Sequence, residues 1–276
     1  MKTLYLTDLD GTLLHSNERI SDYTANVVNS FVKSGGYFSY ATARSFVTAS
    51  AVTAKLNTKF PVVCYNGGFI IENNTGEVLA AHYFAPDEIA SIIQTLTHFS
   101  ISPIVYSFIN GVERFSYMEQ SINAGVQHYL DSRQGDMRHR KVQNVDELFD
   151  GDIFYITCIG DVPQISPIYD IYKSNRQINS INHKDIYSGA QWCELFPLRA
   201  SKATAALELK RLLGCNKVIV FGDGKNDLSL FSVADECYAV ENAVPELKNI
   251  ATSVIESNDN DGVAKWLDAN AFNYLY

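Results

Sequence analysis

The chain has 276 residues, 46% hydrophobic and 19% charged, and its 16 Tyr and 15 Phe exclude an intrinsically disordered protein while its length suits two compact units. Acidic residues outnumber basic ones 31 to 22, and the net charge of −9 excludes a general attraction to nucleic acid or to an anionic membrane, so an anionic ligand has to be held by local positive charge. No apolar run approaches membrane-spanning length, the N-terminus enters a strand and not a signal-peptide pattern, and the five cysteines (Cys64, Cys158, Cys193, Cys215 and Cys237) lack paired spacing, which together lead us to expect a cytoplasmic protein with reduced thiols.

In chain order, TLYLT (3–7) is a short apolar run broken by an Asp/Gly turn, the pattern of a buried strand and loop. A helix follows, with Ser21 as N-cap, an apolar stripe of Val27, Val28, Phe31 and Val32, and Gly35-Gly36 as its stop. YFSYAT (37–42) predicts a second strand, a helical stretch comes next, and PVVCY (61–65) predicts a third. Strands alternating with helices imply a parallel sheet with crossover connections.

From about residue 69 the pattern changes. FIIE and VLAAHYF flank NNTGE as in a hairpin, residues 86–99 carry Ile89, Ile92, Ile93 and Leu96 at helical spacing, and PIVYSF and RFSYM flank Asn110-Gly111 as a second hairpin. Strands at 153–160 and 191–195 complete the α+β signature of a separate insert. The basic run Arg138-His139-Arg140-Lys141 reads as a solvated loop, and Trp192 as packing. The parallel pattern resumes at KATAALELKRLL (202–213), a helix with Ala205, Ala206, Leu209 and Leu213 on one face, then at KVIVFGD (217–223), and an α/β ending follows.

Ligands of open parallel sheets bind beyond the carboxyl ends of the strands. Three polar clusters stand there: Asp8-Leu9-Asp10-Gly11-Thr12, Thr42-Ala43-Arg44-Ser45, and Gly222 to Asp227. Four carboxylates gathered at one edge repel one another unless a cation lies among them, and an all-oxygen donor set favours magnesium over zinc. An Asp attacks a phosphoryl group only when the phosphoryl oxygens are neutralised, for which Lys202 at the start of its helix is the natural candidate. Of Asp8 and Asp10, one would attack while the other donates and later accepts a proton.

These residues resemble the haloacid dehalogenase superfamily, and within it the Cof-like sugar-phosphatase group. Four ordered motifs carry the resemblance: DLDGTLL (8–14), ATARS (41–45), SKATAAL (201–207) and GDGKNDLSLF (222–231), with NGG at 66–68 and the later NA and DGVA. It covers the first 80 residues and roughly the last 80, while the middle matches in position more than in letters. The resemblance implies Asp8 as nucleophile and Asp10 as acid/base. It implies Mg2+ held by Asp8, by the backbone carbonyl of Asp10 and by Asp223, with Asp227 in support. It also implies phosphate contacts from Thr42, Ala43, Lys202 and Asn226, and substrate contacts from Arg44, Asn66 and Gly67. Ala43 is a departure, since the group usually has Gly there, and a methyl at that position tightens the loop beside Arg44.

Each motif has an ordinary reading of its own. DLDGT fits a plain strand-to-turn connection, GDGKND a solvated turn capping a helix, Lys202 a solvated first-turn lysine, Arg44 a surface ion pair and Asn66-Gly67-Gly68 a turn. Their order on these elements favours the joint reading. We therefore expect an α/β fold: a Rossmann-like core from residues 1–81 and 193–276, with an α+β cap inserted at 82–192 that sets substrate specificity. The implied activity is Mg2+-dependent hydrolysis of a small phosphorylated metabolite, a sugar phosphate first, through an aspartyl phosphate, with neither nucleic acid nor membrane as partner. The alternatives are a phosphomutase, which a related cap type also serves, and a metabolite-binding protein without catalysis.

Overall fold

Thr3–Thr7 (β1) is buried from Leu4 onward because it is an inner strand of a parallel sheet, covered on both faces. The computed structural model describes residues 2–185 and 189–272. The chain divides into two compact units, Met1–Ala81 with Ala200–Tyr276, and His82–Arg199.

After β1 come α1 (Asp22–Lys33), β2 (Tyr37–Tyr40), α2 (Phe46–Val52), β3 (Val62–Cys64), β4 (Phe69–Ile71) and β5 (Val78–Ala81). Helix α1 starts where the sequence places it, the Ser21 hydroxyl accepting from the Thr24 N–H at 2.9 Å. Its stripe of Val27, Val28, Phe31 and Val32 is buried, each such side chain adding about 1.5–3 kcal/mol on leaving water. One expectation is corrected. β3 does not extend the parallel sheet as a full strand; it pairs antiparallel with β4 in the small sheet β3-β4-β5 and touches the main sheet through a single parallel bridge, Ala41 to Val63. The tight turn at Tyr65–Gly67 sends the chain straight back as β4, so β3 finds its ladder in the hairpin.

The second unit holds α3 (Pro86–His98), β6 (Ile104–Ile109), β7 (Val112–Met118), α4 (Ala124–Asp131), β8 (His139–Val142), α5 (Val145–Leu148), β9 (Asp152–Gly160), α6 (Val162–Tyr172), β10 (Ile178–Lys184) and β11 (Gln191–Pro197). Six strands form one sheet in the order β10-β11-β9-β6-β7-β8. Ile92 and Leu96 of α3 and Ile165, Ile168 and Tyr172 of α6 share a core with Val105, Ile156, Cys158, Cys193 and Leu195. Asn110 and Gly111 both take positive φ, 52° and 77°, the requirement of a two-residue hairpin turn. The junction expected at residue 193 moves to 199, because β11 pairs along its length with β10 and through Leu195 with β9. The basic run is not a solvated loop. Residues 139–142 form strand β8, Arg138 is largely buried against Glu113 (2.6 Å) and Asp136 (2.7 Å), and Arg140 donates to the Glu147 carbonyl at 2.6 Å.

The chain returns to the first unit with α7 (Lys202–Leu212), β12 (Lys217–Gly222), α8 (Leu228–Val233), β13 (Glu236–Val240), α9 (Pro245–Lys248), β14 (Ser253–Ile255) and α10 (Gly262–Asn270). The parallel sheet runs β14-β13-β12-β1-β2. From β1 the chain builds outward first to β2 and later, through β12, in the other direction, so the order reverses at β1, and the carboxyl ends of β1 and β12 are where a sheet of this kind takes its ligand. Tyr5, Phe221 and Tyr238 meet Trp266 of α10 at ring distances of 6.2, 5.2 and 4.4 Å, which packs α10 onto the sheet. All five cysteines are buried. Among the described residues no helix is long and apolar enough to cross a membrane.

Candidate active site

β1 delivers Asp8 directly beyond its last residue, and the Asp8 N–H still donates to the Phe221 carbonyl of β12 at 3.0 Å, so the first residue of the loop keeps the rigidity of the sheet. The chain then makes one wide turn, Leu9–Leu13, in which Asp10 and Gly11 leave helical geometry and Gly11 takes φ +73°. A Cβ at Gly11 would collide with the Asp223 carboxylate, so this position needs glycine for its conformation and for close approach alike. The Thr12 hydroxyl donates to Asp223 at 2.8 Å.

Lys202 is the first residue of α7, where the helix dipole disfavours a cation. It is 1% exposed, and its ammonium lies 2.8 Å from Asp8 and 2.7 Å from Asp227. Two carboxylates therefore offset both the dipole and the burial. Gly67 fits against the Ser201 carbonyl, at a distance that admits no Cβ, and so lies against the start of the helix. Asp227 uses its other oxygen to accept from the Asp223 and Gly224 N–H groups at 3.0 and 3.1 Å. Asp8, Asp223 and Asp227 each offer an oxygen within 4.8 Å of the others.

Burial pushes the Asp8 carboxyl up; Lys202 opposes this, Asp227 and Asp223 reinforce it, and the result lies well above the usual carboxylate range. Asp223 is pushed up to about 6, by burial first and then by the Asp227 charge. Burial works against the Lys202 charge, but Asp227 and Asp8 outweigh it, so the ammonium is held more firmly than in water. One lysine thus leaves negative charge in excess over three carboxylates. A compact, all-oxygen, charge-deficient set of this kind fits a hard divalent cation.

Asp10 stands apart from this cluster. Its two oxygens take a forked pair from Arg44, Nε at 2.8 Å and Nη2 at 2.5 Å, and the same Nη2 lies 2.7 Å from Glu18. The hydrogen bond to Asp10 is the largest cause of a raised Arg44 pKa, which burial opposes and Glu18 supports. The Asp10 side chain is 47% exposed, open enough to meet a ligand. Thr42 is fully buried and its hydroxyl accepts from the Arg44 N–H at 3.1 Å, while Ala43 is exposed at the tip of that loop. Tyr65, Asn66 and Gly67 take positive φ in succession, 51°, 53° and 99°, a strained path that costs about 1–3 kcal/mol at each non-glycine residue and marks functional loops. It brings the Asn66 oxygen within 3.3 Å of the Asn226 amide.

The structure therefore brings Asp8, Lys202, Asp223 and Asp227 into one bonded cluster, joins Asp10 to Arg44 and Asn66 to Asn226, and sets Thr42, Ala43 and Gly67 in the loops around them. Sequence reasoning missed Glu18, Thr12 and Asn242, whose amide donates to the Gly11 carbonyl at 2.7 Å. Thr12 stood inside the first motif and Asn242 in the short NA motif, whereas Glu18 lies outside every motif and had no signal.

A family model described as haloacid dehalogenase-like hydrolase matches residues 5–267. Two proteins of Bacillus subtilis, both 5-amino-6-(5-phospho-D-ribitylamino)uracil phosphatases, are similar over nearly their whole length. One is 27% identical, over 95% of each chain, and the other 24% identical, over 96% of each. Among solved structures, a haloacid dehalogenase-like hydrolase from Bacteroides thetaiotaomicron has a TM-score of 0.77 at 23% identity, over 98% of this chain and 99% of its own. One from B. subtilis has a TM-score of 0.78 at 20% identity, over 98% and 100%.

Proposed function

The chain belongs to the haloacid dehalogenase-like hydrolase family, and from that premise we propose that it is a phosphatase that transfers the phosphoryl group of a small phosphorylated metabolite to Asp8 and then to water. The observation that carries this reading is the buried ammonium of Lys202 joining Asp8 to Asp227 beside Asp223. Asp8, Asp223 and the backbone carbonyl of Asp10 would hold Mg2+, with Asp227 in support. When bound, the ion neutralises phosphoryl oxygens and so lets one anion approach another.

The chain's own groups divide the rest of the work. The Asp8 carboxylate attacks phosphorus, the ester P–O bond breaks, and Asp10 hands a proton to the departing alcohol oxygen. Asp10 then takes a proton from water as the water oxygen attacks phosphorus, which releases phosphate and restores the Asp8 carboxylate. Lys202 holds Asp8 in place and faces the phosphate with positive charge. Thr42, Ala43, Asn226, Arg44, Asn66 and Gly67 line the loops that would take the remaining phosphate and substrate oxygens.

The substrate of the two B. subtilis relatives is by its name a phosphate on a ribityl chain, and we extend that class to this protein: the phosphate ester of a sugar or sugar alcohol. We assign the choice among such esters to the second unit, since all four motifs lie outside it. The test is phosphate release from a panel of phosphorylated metabolites with Mg2+ and with excess chelator. Release of free phosphate, stopped by the chelator, is expected; an isomeric sugar phosphate as product would make it a mutase, and full activity in chelator would remove the ion. If substitutions throughout 82–199 left every ratio between substrates unchanged, specificity would belong to the core loops around Arg44 and Asn66.

A stability measurement tests the ion independently of turnover. A carboxyl whose pKa rises on folding, as at Asp223 to about 6, adds stability below its unfolded value of roughly 4 and loses that contribution as pH rises through about 6. At pH 7.5 Mg2+ takes the place of the missing proton, and at pH 5 it competes with one. Mg2+ should therefore raise the thermal midpoint of the wild-type protein at pH 7.5 and much less at pH 5. An equal rise at both pH values would place the ion elsewhere.

A further inference from the structure

We propose that Asn242 is a positioning residue for this reaction, acting on Asp10 and Thr12 through the peptide between Gly11 and Thr12; the inference rests on the phosphatase reading above. The wide turn that carries Asp10 needs glycine at position 11, because the chain presses there against the Asp223 carboxylate. Glycine is also the residue that least resists rotation, so the segment with the tightest positional demand has the loosest backbone. The turn is closed by a bond from the Leu14 N–H to the Leu9 carbonyl at 2.8 Å.

The Asn242 side chain adds a restraint from outside the turn. Its amide N–H donates to the Gly11 carbonyl at 2.7 Å, and its oxygen accepts from the Asn258 N–H at 3.0 Å. Those two partners, one an acceptor and one a donor, fix which way the amide faces. Asn258 is itself anchored, buried with its amide on the Leu14 carbonyl at 2.9 Å. The segment around 258 thus braces the turn at two carbonyls, Gly11 and Leu14. Because the peptide is planar, fixing the Gly11 carbonyl fixes the Thr12 N–H on its other side. That plane sets where the Thr12 hydroxyl meets Asp223 and limits rotation about the bonds leading back to Asp10. Asn242 is exposed, so replacing it removes the restraint and little buried surface.

The experiment compares wild type, Asn242→Ala and Asn242→Asp in steady-state kinetics with Mg2+ on p-nitrophenyl phosphate and on glycerol 3-phosphate, beside thermal midpoints. Asp keeps an acceptor for the Asn258 N–H but cannot donate to Gly11. Both variants should lose about 10- to 100-fold in kcat on glycerol 3-phosphate, the scale of a misplaced catalytic group, with KM changed less than about threefold. In kcat/KM, which reports acyl-phosphate formation, the loss on p-nitrophenyl phosphate, whose leaving group needs little protonation, should be several-fold smaller than on glycerol 3-phosphate. Midpoints should stay within about 3 °C of wild type, a shift too small to unfold the protein at assay temperature. Unchanged kcat, equal losses in kcat/KM on both esters, or recovery in Asn242→Asp would each overturn the proposal. A wild type that releases phosphate from neither ester removes the phosphatase reading and this inference with it, whereas an active wild type with unresponsive variants removes the inference alone.

Discussion

Asp8→Asn should abolish turnover and leave the protein folded. The amide has the shape of the carboxylate, and its oxygen can still accept from the Lys202 ammonium, which now sits 2.8 Å from Asp8. It lacks the charge and the lone-pair reactivity needed to form an acyl phosphate. We expect kcat to fall by roughly four orders of magnitude or more, the scale seen when a covalent nucleophile is removed. Stability should move the other way or hardly at all. Burial, with Asp227 and Asp223, outweighs the opposing Lys202 and pushes the Asp8 carboxyl toward its neutral form, and Lys202 keeps Asp227 as its charged partner, so a neutral isostere costs little in the metal-free protein. Phosphate-release assays beside thermal denaturation check both halves. Substantial activity in a folded variant would end the assignment of Asp8 as nucleophile, and a collapse of the thermal midpoint would show that its charge is chiefly structural.

The placement of this site was legible in the sequence to the extent that its residues are consecutive at strand ends. Asp8, Asp223 and Asp227 are announced by turns that follow apolar runs, and the parallel pattern fixes that those turns share an edge. Lys202 was legible only by its order among motifs, because a lysine at the start of a helix carries no sign of being buried. Its burial is a tertiary fact, produced by two carboxylates that arrive from other strands. Long-range polar partners were the least legible. Glu18, held on Arg44, and Asn242, held on Gly11, belong to no periodic pattern, and nothing in their local sequence says which carbonyl or guanidinium they meet. Two of the three corrections in the fold have the same origin. β3 and β8 are short, and a short apolar or basic run does not specify its partner; β3 is claimed by a hairpin, and β8 is added at the sheet edge beside β7.

Asp10→Asn should slow turnover by roughly two to four orders of magnitude, the usual cost of losing a general acid/base, and the loss should depend on the leaving group. In the resting structure both Asp10 oxygens rest on Arg44, which also holds Glu18. Asparagine keeps one acceptor for that guanidinium, so the loop should stay in place and the effect should be on proton transfer. To give a proton to a departing oxygen, Asp10 has to release one of its oxygens from Arg44. A phosphate dianion entering the site offers that guanidinium a competing partner with the right forked geometry, and Glu18 already shares the same nitrogen. Acid help matters most for an alkoxide leaving group and least for nitrophenolate, so acyl-phosphate formation from an aryl phosphate should suffer much less than from a sugar phosphate. Hydrolysis of the acyl phosphate, in which Asp10 takes a proton from water, should be slowed equally for both, because the intermediate no longer carries the leaving group. Rapid-mixing measurements of alcohol release and phosphate release separate the two steps. In Asp10→Asn an aryl phosphate should therefore give a burst of nitrophenol followed by slow phosphate release, and a sugar phosphate should give no burst. Equal losses in the first step for both esters would remove Asp10 as the acid and leave it the lesser task of holding Arg44.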